Sequence, residues 1–301
     1  MQMGYDTIKT GGESMELTHV ARRAARLSAI LKEDMGVSTA LMNKLKWQEK
    51  LFVNGISQRT NFPVQAGDVI TLPLEEPEPE YPAEEGELTI LYEDDHLLAV
   101  DKPAGMLIHP SRSRNTGTLA NLVLGYYQKT GKPCAFHPMT RLDRDTFGIV
   151  LLAKSAHVHS LLQQTAVEKI YHARTFGGPA EDSGIIDLPI ARKPLPSLLR
   201  EVREDGKPSV TEFTVLQRSG ETAKLALRPI TGRTHQLRLH CAAMGYPILG
   251  DPQYASPESL EYSGKLGLTT QLLCAKSLRF THPLTGEDLY LQSKMDAGVE
   301  R

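Results

Sequence analysis

Cysteine is scarce in this chain, and no apolar run approaches the length that spans a bilayer. Cys134, Cys241 and Cys274 are odd in number and scattered, with no Cys-x-x-Cys pair, so neither a disulfide framework nor a zinc site is expected. They read as free, mostly buried thiols. Met1 to Ser14 carries neither a basic n-region nor an apolar h-region, and the expected address is cytoplasmic, with no membrane partner. An internal repeat, a phosphate-cradling glycine-rich loop and a Gly-x-Ser-x-Gly elbow are also missing, the last arguing against the common esterase scaffold. His157 and His159 stand two apart on an expected helix and point to different sides, so they do not chelate one metal. No metal site and no cofactor are expected.

What is present is a soluble, globular composition, with 40% hydrophobic and 23% charged residues over 301 positions, enough for about two domains. The net charge of −2 argues against a nucleic-acid partner until the acids are located. Glu75, Glu76, Glu78, Glu80, Glu84, Glu85 and Glu87 crowd one short segment. Setting those seven aside leaves 34 basic side chains against 29 acidic ones, a net of +5 that permits a basic face.

The segment Pro73 to Glu87, rich in Pro and Glu, reads as an extended interdomain linker. Before it, a small unit spans about Leu17 to Leu74. A helix is expected over Val20 to Asp34, with Leu27, Ile30 and Leu31 on its apolar side, Arg22, Arg23, Arg26 and Lys32 elsewhere, and Gly36 at its end. Ser38 is expected to cap a second helix, in which Leu41, Met42 and Leu45 recur beside Lys44 and Lys46. A strand then enters an Asn54-Gly55 turn, and Gly67-Asp68 precedes another strand.

From Leu88 the pattern is strand-rich. Strands are expected over Leu88 to Tyr92, Leu97 to Asp101, Glu168 to Ala173, Thr211 to Leu216 and Lys224 to Arg228, with a final pair around Leu278 to Phe280 and Leu289 to Leu291. Helices are expected over Thr118 to Tyr127, after Ser155, and from near Thr234 to Gly245. Leu237, Cys241 and Met244 should form the apolar stripe of the last, leaving Arg238 on another face. Ile190 to Lys207 reads as a surface excursion.

The most informative stretch is Arg141-Leu-Asp-Arg-Asp-Thr-Phe-Gly148, which runs into the apolar Ile149-Val-Leu-Leu-Ala153. A polar turn there delivers carboxylates at the edge of a buried strand. Asp143 lies between Arg141 and Arg144, and cations that close favour a carboxylate available as a nucleophile over one that gives up a proton. A turn with surface ion pairs fits these residues equally well.

Two resemblances extend this reading. The unit from about Leu17 to Leu74, some sixty residues with two basic helices followed by a hairpin with Val-Asn-Gly and a late Gly-Asp, resembles the αL RNA-binding domain named after ribosomal protein S four. Asp101-Lys-Pro-Ala-Gly, Arg141-Leu-Asp-Arg-Asp-Thr, Glu168-Lys-Ile-Tyr-His-Ala and Gly232-Arg-Thr-His-Gln-Leu-Arg, with the later Pro247-Ile-Leu-Gly-Asp-Pro and His282-Pro-Leu-Thr-Gly-Glu, resemble the RluA-like RNA pseudouridine synthases in the family's order. That resemblance implies an α+β catalytic domain built on a mixed, largely antiparallel sheet. It also implies isomerisation of uridine in ribosomal RNA or tRNA, without a cofactor. Asp143 would act at the ribose, Tyr171 would stack on the target base, and Arg238 would pair with the aspartate. Arg141, Arg144, Arg233 and His235 would contact RNA, as would Arg22, Arg23, Arg26, Lys44 and Lys46 of the first unit. The target would be extracted from its helix, with Arg141 a candidate for filling the space. Thr140 and Phe147 stand where the family usually has His and Ser.

The implied organisation is a disordered segment over 1–16, an RNA-binding unit over 17–74, the linker over 75–87, a catalytic domain over 88–292 and a tail over 293–301, acting as a monomer. Two other functions are weighed against it. An inactive RNA- or ribosome-binding relative would lack the Asp, Tyr or Arg, and all three are present. A hydrolytic glycosidase needs a second carboxylate flanking the bond, and Asp145 is poorly placed for that.

Overall fold

The computed structural model describes residues 7–11, 14–74, 81–111, 114–131, 135–197 and 199–298. Cys134, linker residues 75–80 and the extreme termini lie outside them.

In the N-terminal unit the first strands are β1 (Thr7–Gly11) and β2 (Ser14–Val20). Next come β3 (Ala25–Arg26), α1 (Leu27–Ala29, continuing with π-helical geometry over Ile30–Asp34) and α2 (Thr39–Trp47). β4 (Phe52–Val53), β5 (Ile56–Ser57), β6 (Pro63–Val64) and β7 (Val69–Leu74) complete it. β1, β2, β7, β4 and β5 form one sheet in that order. The expectation of disorder over 1–16 is corrected for its described part, because β2 pairs with β7 from Met15 to Val20 and carries β1 on its other edge.

The first helix begins at Leu27 rather than Val20. Val20 pairs with Val69 as the last residue of β2, and the amide of Ala21 donates to the Asp68 carbonyl, so the backbone is committed to the sheet before helix can start. Gly36 ends the helix at φ 60°, and the Ser38 hydroxyl accepts from the Leu41 amide to cap α2. Asn54 and Gly55 both have positive φ, the geometry of a tight hairpin turn. Leu27, Ile30, Leu31, Leu45, Leu51 and Ile70 are fully or almost fully buried in a core made only of residues 17–74.

The larger unit contains β8 (Thr89–Glu93), β9 (Leu97–Lys102), α3 (Leu119–Lys129), β10 (His137–Pro138), β11 (Phe147–Ala153) and α4 (Ala156–Leu162). It continues with β12 (Glu168–Phe176), β13 (Ser183–Asp187), β14 (Ile190–Arg192), β15 (Arg200–Val202), β16 (Val210–Ser219) and β17 (Thr222–Pro229). It closes with α5 (Gln236–Ala243), α6 (Pro257–Lys265), β18 (Leu273–Thr281) and β19 (Asp288–Gln292). The main sheet runs β13-β16-β17-β12-β18-β11-β9-β8, with β10 beside β11 and β19 beside β18. Every pairing is antiparallel except β11 with β18. The fold is α+β on a mixed, largely antiparallel sheet.

β11 explains its own unbroken apolar sequence, since both of its faces are covered. Ile149, Leu151 and Ala153 pack with Val158, Leu161 and Leu162 of α4, whereas Val150 and Leu152 pack with Leu119, Val123 and Leu124 of α3. β9 alternates in the same way, Leu97 and Ala99 to one layer and Leu98 and Val100 to the other.

Two expected boundaries are corrected. The linker reading does not hold from Tyr81 onward: Tyr81 and Ala83 pack on the α3 core, Asn121 donates to the Pro82 carbonyl, and the Glu84 carboxylate accepts from the Gly117 amide. Likewise the tail is folded through Ala297. The Ser293 hydroxyl donates to Asp101 at 2.7 Å, and Asp296 accepts from Lys224 at 2.6 Å and faces His172 Nδ1 at 2.8 Å. Ala297 is fully buried. Glu and Pro composition predicts extension; it does not predict the specific donor that one glutamate finds.

Candidate active site

Sheet order brings the separated motifs together. The turn before β11, the middle of β12 and the segment between β17 and α5 meet because β17, β12, β18 and β11 are successive neighbours. They line a cleft of about 610 Å³, which includes Arg141, Asp143, Lys169, Tyr171, Arg233, His235 and Arg238.

The turn is held from below by a lysine. Lys102, fully buried at the end of β9, donates to the carbonyl oxygens of Pro103, Met106 and Arg144 at 2.8–2.9 Å. The amide of Thr146 closes the turn on the Asp143 carbonyl at 3.2 Å, and the Thr146 hydroxyl accepts from Gln271 at 2.7 Å. Gly148 then adopts φ 108°, and its α-carbon lies so close to β18 that an added Cβ would stand 2.4 Å from the Ala275 carbonyl. That close approach makes the parallel β11–β18 pairing of Phe147 with Cys274 and Gly148 with Ala275.

Asp143, partly exposed, points its Oδ2 at Arg238 Nη1, 3.1 Å away. Arg238 is buried at 4% exposure and is itself clamped: Nε and Nη2 donate to the two oxygens of Asp251 at 2.7 and 2.8 Å, and Nη2 also donates to Gln253 at 2.7 Å. Burial disfavours its charge, but the bonds to Asp251 and the nearby Asp143 outweigh that, so its pKa lies above the ordinary arginine value. One fixed guanidinium thus bridges a fully buried carboxylate and the carboxylate that faces the cleft.

Tyr171 lies on β12 opposite Ala275 of β18 and Leu227 of β17, with its ring toward the cleft. Burial, and then the Asp143 charge, push its phenol up, so it faces the cleft as a neutral aromatic surface. Lys169 lines the same cleft, its ammonium lowered by burial.

The Gly232-Arg-Thr-His-Gln run is shaped by Gln236. Its Oε1 accepts from the Thr231 hydroxyl and the Arg233 amide at 2.9 Å, and its Nε2 donates to the Val210 carbonyl and the Thr211 hydroxyl. His235 consequently sits in the left-handed region at φ 57° and ends the turn, so α5 starts at Gln236 rather than Thr234. Met244 is 46% exposed and does not continue the stripe of Leu237 and Cys241, and the polar side of the helix is no surface: Arg238 and His240 are buried there.

Of the expected RNA contacts, Arg141, Arg233 and His235 line the cleft and Arg144 does not; its guanidinium is engaged by Asp145 at 2.8 and 2.9 Å. Asp145, held in that pairing, does not line the cleft. None of Arg22, Arg23, Arg26, Lys44 and Lys46 lines the cleft. Arg22, Arg26, Lys44 and Lys46 are exposed, while Arg23 is engaged by Glu33 and Asp34. The Thr140 hydroxyl accepts from the Leu151 amide at 3.0 Å, and Phe147 packs on Cys274 and Ala297, so both positions face the interior. Lys102, Gln236, Asp251 and Gln253 received no role from sequence, although three of them stand inside the quoted motifs. His157 is buried and pushed down to about 4, mainly by burial, whereas His159 stacks on His137. Cys241 and Cys274 are buried and free.

The chain is similar to known proteins. Residues 96–243, which carry the Asp143 turn, Tyr171 and Arg238, match the family described as RNA pseudouridylate synthase. An RNA pseudouridine synthase of Bacillus subtilis, YjbO, is 35% identical over 275 residues, covering 89% of this chain and 95% of its own length.

The chain belongs to the RNA pseudouridine synthases.

As such it is an isomerase of the RluA type that acts on RNA. Ribosomal large subunit pseudouridine synthase C of Vibrio cholerae is 31% identical, covering 83% of this chain and 82% of that protein. Among solved structures, human RNA pseudouridylate synthase domain containing 1 superposes with a TM-score of 0.58 at 25% identity, over 71% of this chain and 86% of that one. Among the described residues of this pseudouridine synthase no helix is long and apolar enough to cross a membrane.

Proposed function

We propose that this enzyme converts specific uridines to pseudouridine in ribosomal RNA or tRNA, with Asp143 acting at the ribose of a uridine drawn into the cleft. The observation that carries the reading is the contact of Asp143 with Arg238 at 3.1 Å beside Tyr171, in a cleft open to a nucleotide. Isomerisation breaks the bond between the anomeric carbon and N1 and joins the same carbon to C5. No atoms are gained or lost, so no redox cofactor is needed.

A carboxylate facing an electron-poor sugar carbon is the physics of glycoside cleavage in general. It acts by attack on the anomeric carbon or by deprotonation toward a glycal. Arg238, held by Asp251, aims the carboxylate and sets a fixed cation beside it. Tyr171 offers the ring face on which the uracil stacks while its bond to the sugar is open. The detached base is thereby retained and turned, which separates rearrangement from hydrolysis. Arg141, Arg233 and Lys169 are placed to neutralise phosphates flanking the extracted nucleotide. Arg22, Arg26, Lys44 and Lys46 supply further phosphate contacts from the N-terminal unit, read as an αL-type RNA-binding domain. The same reading makes the enzyme cytoplasmic, monomeric and independent of metal.

Chemical mapping of pseudouridine in ribosomal RNA and tRNA, from cells with and without the gene, tests the substrate. At least one site in one of these RNAs should disappear with the gene. Identical maps would overturn the assignment.

A further inference from the structure

A second polar chain in the cleft ends on Asp143. It begins at the backbone amide of Arg200, on β15, which donates to the Tyr254 hydroxyl at 3.0 Å. The same hydroxyl lies 2.8 Å from His235 Nδ1. His235 Nε2, on the far side of the ring, is 3.8 Å from Asp143 Oδ2. The Tyr254 ring also stands edge-on to the imidazole, with centroids 5.7 Å apart, and carries the Arg238 guanidinium on its face at 5.1 Å. One tyrosine therefore touches both groups that confront the Asp143 carboxylate.

A phenol has one proton to give and lone pairs to accept with. The Arg200 amide occupies a lone pair, and Nδ1 is the acceptor in reach of the phenolic proton. An imidazole that accepts at Nδ1 and is neutral carries its proton at Nε2. His235 favours the neutral form: burial lowers its pKa, outweighing the nearby Asp143, and Arg238 lowers it further, with Asp251 and Arg200 the other charges in range. The left-handed backbone at φ 57°, ψ 20° is uncommon for residues other than glycine, and Gln236 maintains it. The ring is thus aimed at Asp143 at some conformational cost.

We propose that Tyr254 fixes His235 as the Nε2–H tautomer, and that this N–H is a second hydrogen-bond donor to Asp143, joining Arg238 as the carboxylate recovers its full charge. The proposal rests on Asp143 being the group that reacts at the ribose. At 3.8 Å the contact is too long for a hydrogen bond in the free enzyme. A movement of about 1 Å closes it, and such tightening is common when a substrate fills an active site. On the route by attack, C5 of the turned uracil bonds to the anomeric carbon as the bond between the sugar and Asp143 breaks; the electron pair of the broken bond returns to the carboxylate, and His235 stabilises that charge without giving up its proton. His235 and Tyr254 are positioning residues in this account.

The test uses full-length enzyme labelled with nitrogen-15 in histidine, with the His235 signals assigned by their loss in His235→Gln. The wild type should show the neutral Nε2–H pattern at pH 7.5, and Tyr254→Phe, which keeps the ring packing, should lose it. Turnover of Tyr254→Phe should fall about ten-fold in kcat with KM unchanged, the size expected for one hydrogen bond to a charged group. His235→Gln, whose amide retains an N–H, should keep more activity than His235→Leu. An Nδ1–H tautomer in the wild type, or wild-type kcat in Tyr254→Phe, overturns the inference while leaving the role of Asp143 intact. A wild type that forms no pseudouridine overturns the functional reading, whatever the tautomer.

Discussion

The ammonium of Lys102 donates to the carbonyl oxygen of Arg144 across 2.9 Å, so a side chain from the end of β9 holds the turn that carries Asp143. With the Pro103 and Met106 carbonyls it has three acceptors and no solvent. Replacing it by methionine fills the space but strands three carbonyls, at about 1–3 kcal/mol for each one left unsatisfied. Lys102→Met should therefore lower the denaturant midpoint and abolish turnover. A stable, active variant would contradict this role.

The same lysine predicts a pH limb. Burial pushes its ammonium down to about 8, against the opposing charges of Asp145 and Asp143. The charged form offers three donors and the neutral amine two. The protonated form, and the turn it orders, are present below about 8 and lost as pH rises through it. The kcat profile should decline on the alkaline side with a midpoint near 8; a flat profile to pH 10 would contradict the assignment.

Gly148 tolerates no side chain. An added Cβ would meet the Ala275 carbonyl at 2.4 Å and its amide nitrogen at 2.7 Å, in a backbone region that disfavours one anyway. Gly148→Ala should cost about 2–5 kcal/mol through strain and overpacking. Thermal unfolding measures this, and an unchanged midpoint would contradict the close approach of β11 and β18.

How much of this was visible beforehand depends on the range over which each feature is decided. The cap at Ser38, the Asn54-Gly55 turn and the apolar β11 are local, and their residues announce them. The start of α1 was misplaced because the arginines after Val20 are good helix formers, while the sheet partner that claims Val20, Val69, lies almost fifty residues on. Asp143, Tyr171 and Arg238 were singled out through motif order, whereas their convergence on one cleft depends on strand order. Asp251 illustrates the limit: a Gly-Asp-Pro turn gives no sign that its carboxylate clamps an arginine thirteen residues earlier. The packing of Tyr81 and Ala83 on α3 was hidden by composition dominated by glutamate and proline.

Two deletions separate the linker from the domain. The core of residues 17–74 shares no member with the cores beyond it, so removing 1–74 should leave the catalytic unit with its melting transition intact. RNA affinity should fall and its salt dependence flatten, because Arg22, Arg26, Lys44 and Lys46 leave with it. Removing 1–87 also strips Tyr81, Ala83 and Glu84 from α3 and should cost a further 2–3 kcal/mol or so. Equal stability of the two deletions would contradict the packing described.

The folded tail predicts an acid limb of stability. Burial works against the Asp296 charge, but the bonds from Lys224 and His172 outweigh it and hold the carboxyl down at about 2. Because the folded value lies below the unfolded one, the contribution is present above about pH 4 and is lost as pH falls toward 2. Asp296→Asn should be less stable at neutral pH and show a shallower loss across that window. Parallel wild-type and variant curves would contradict the anchoring role.

The most direct test of the account is pseudouridine formation by Asp143→Asn, measured beside Asp145→Asn and Arg238→Met on an RNA that the wild type modifies. Asparagine keeps the size and much of the hydrogen bonding of Asp143 while removing its charge, so product should be undetectable although RNA still binds. Arg238→Met should also lose turnover, and Asp145→Asn, whose carboxylate is engaged with Arg144, should lose far less. Pseudouridine formed by Asp143→Asn at the wild-type rate would contradict the account.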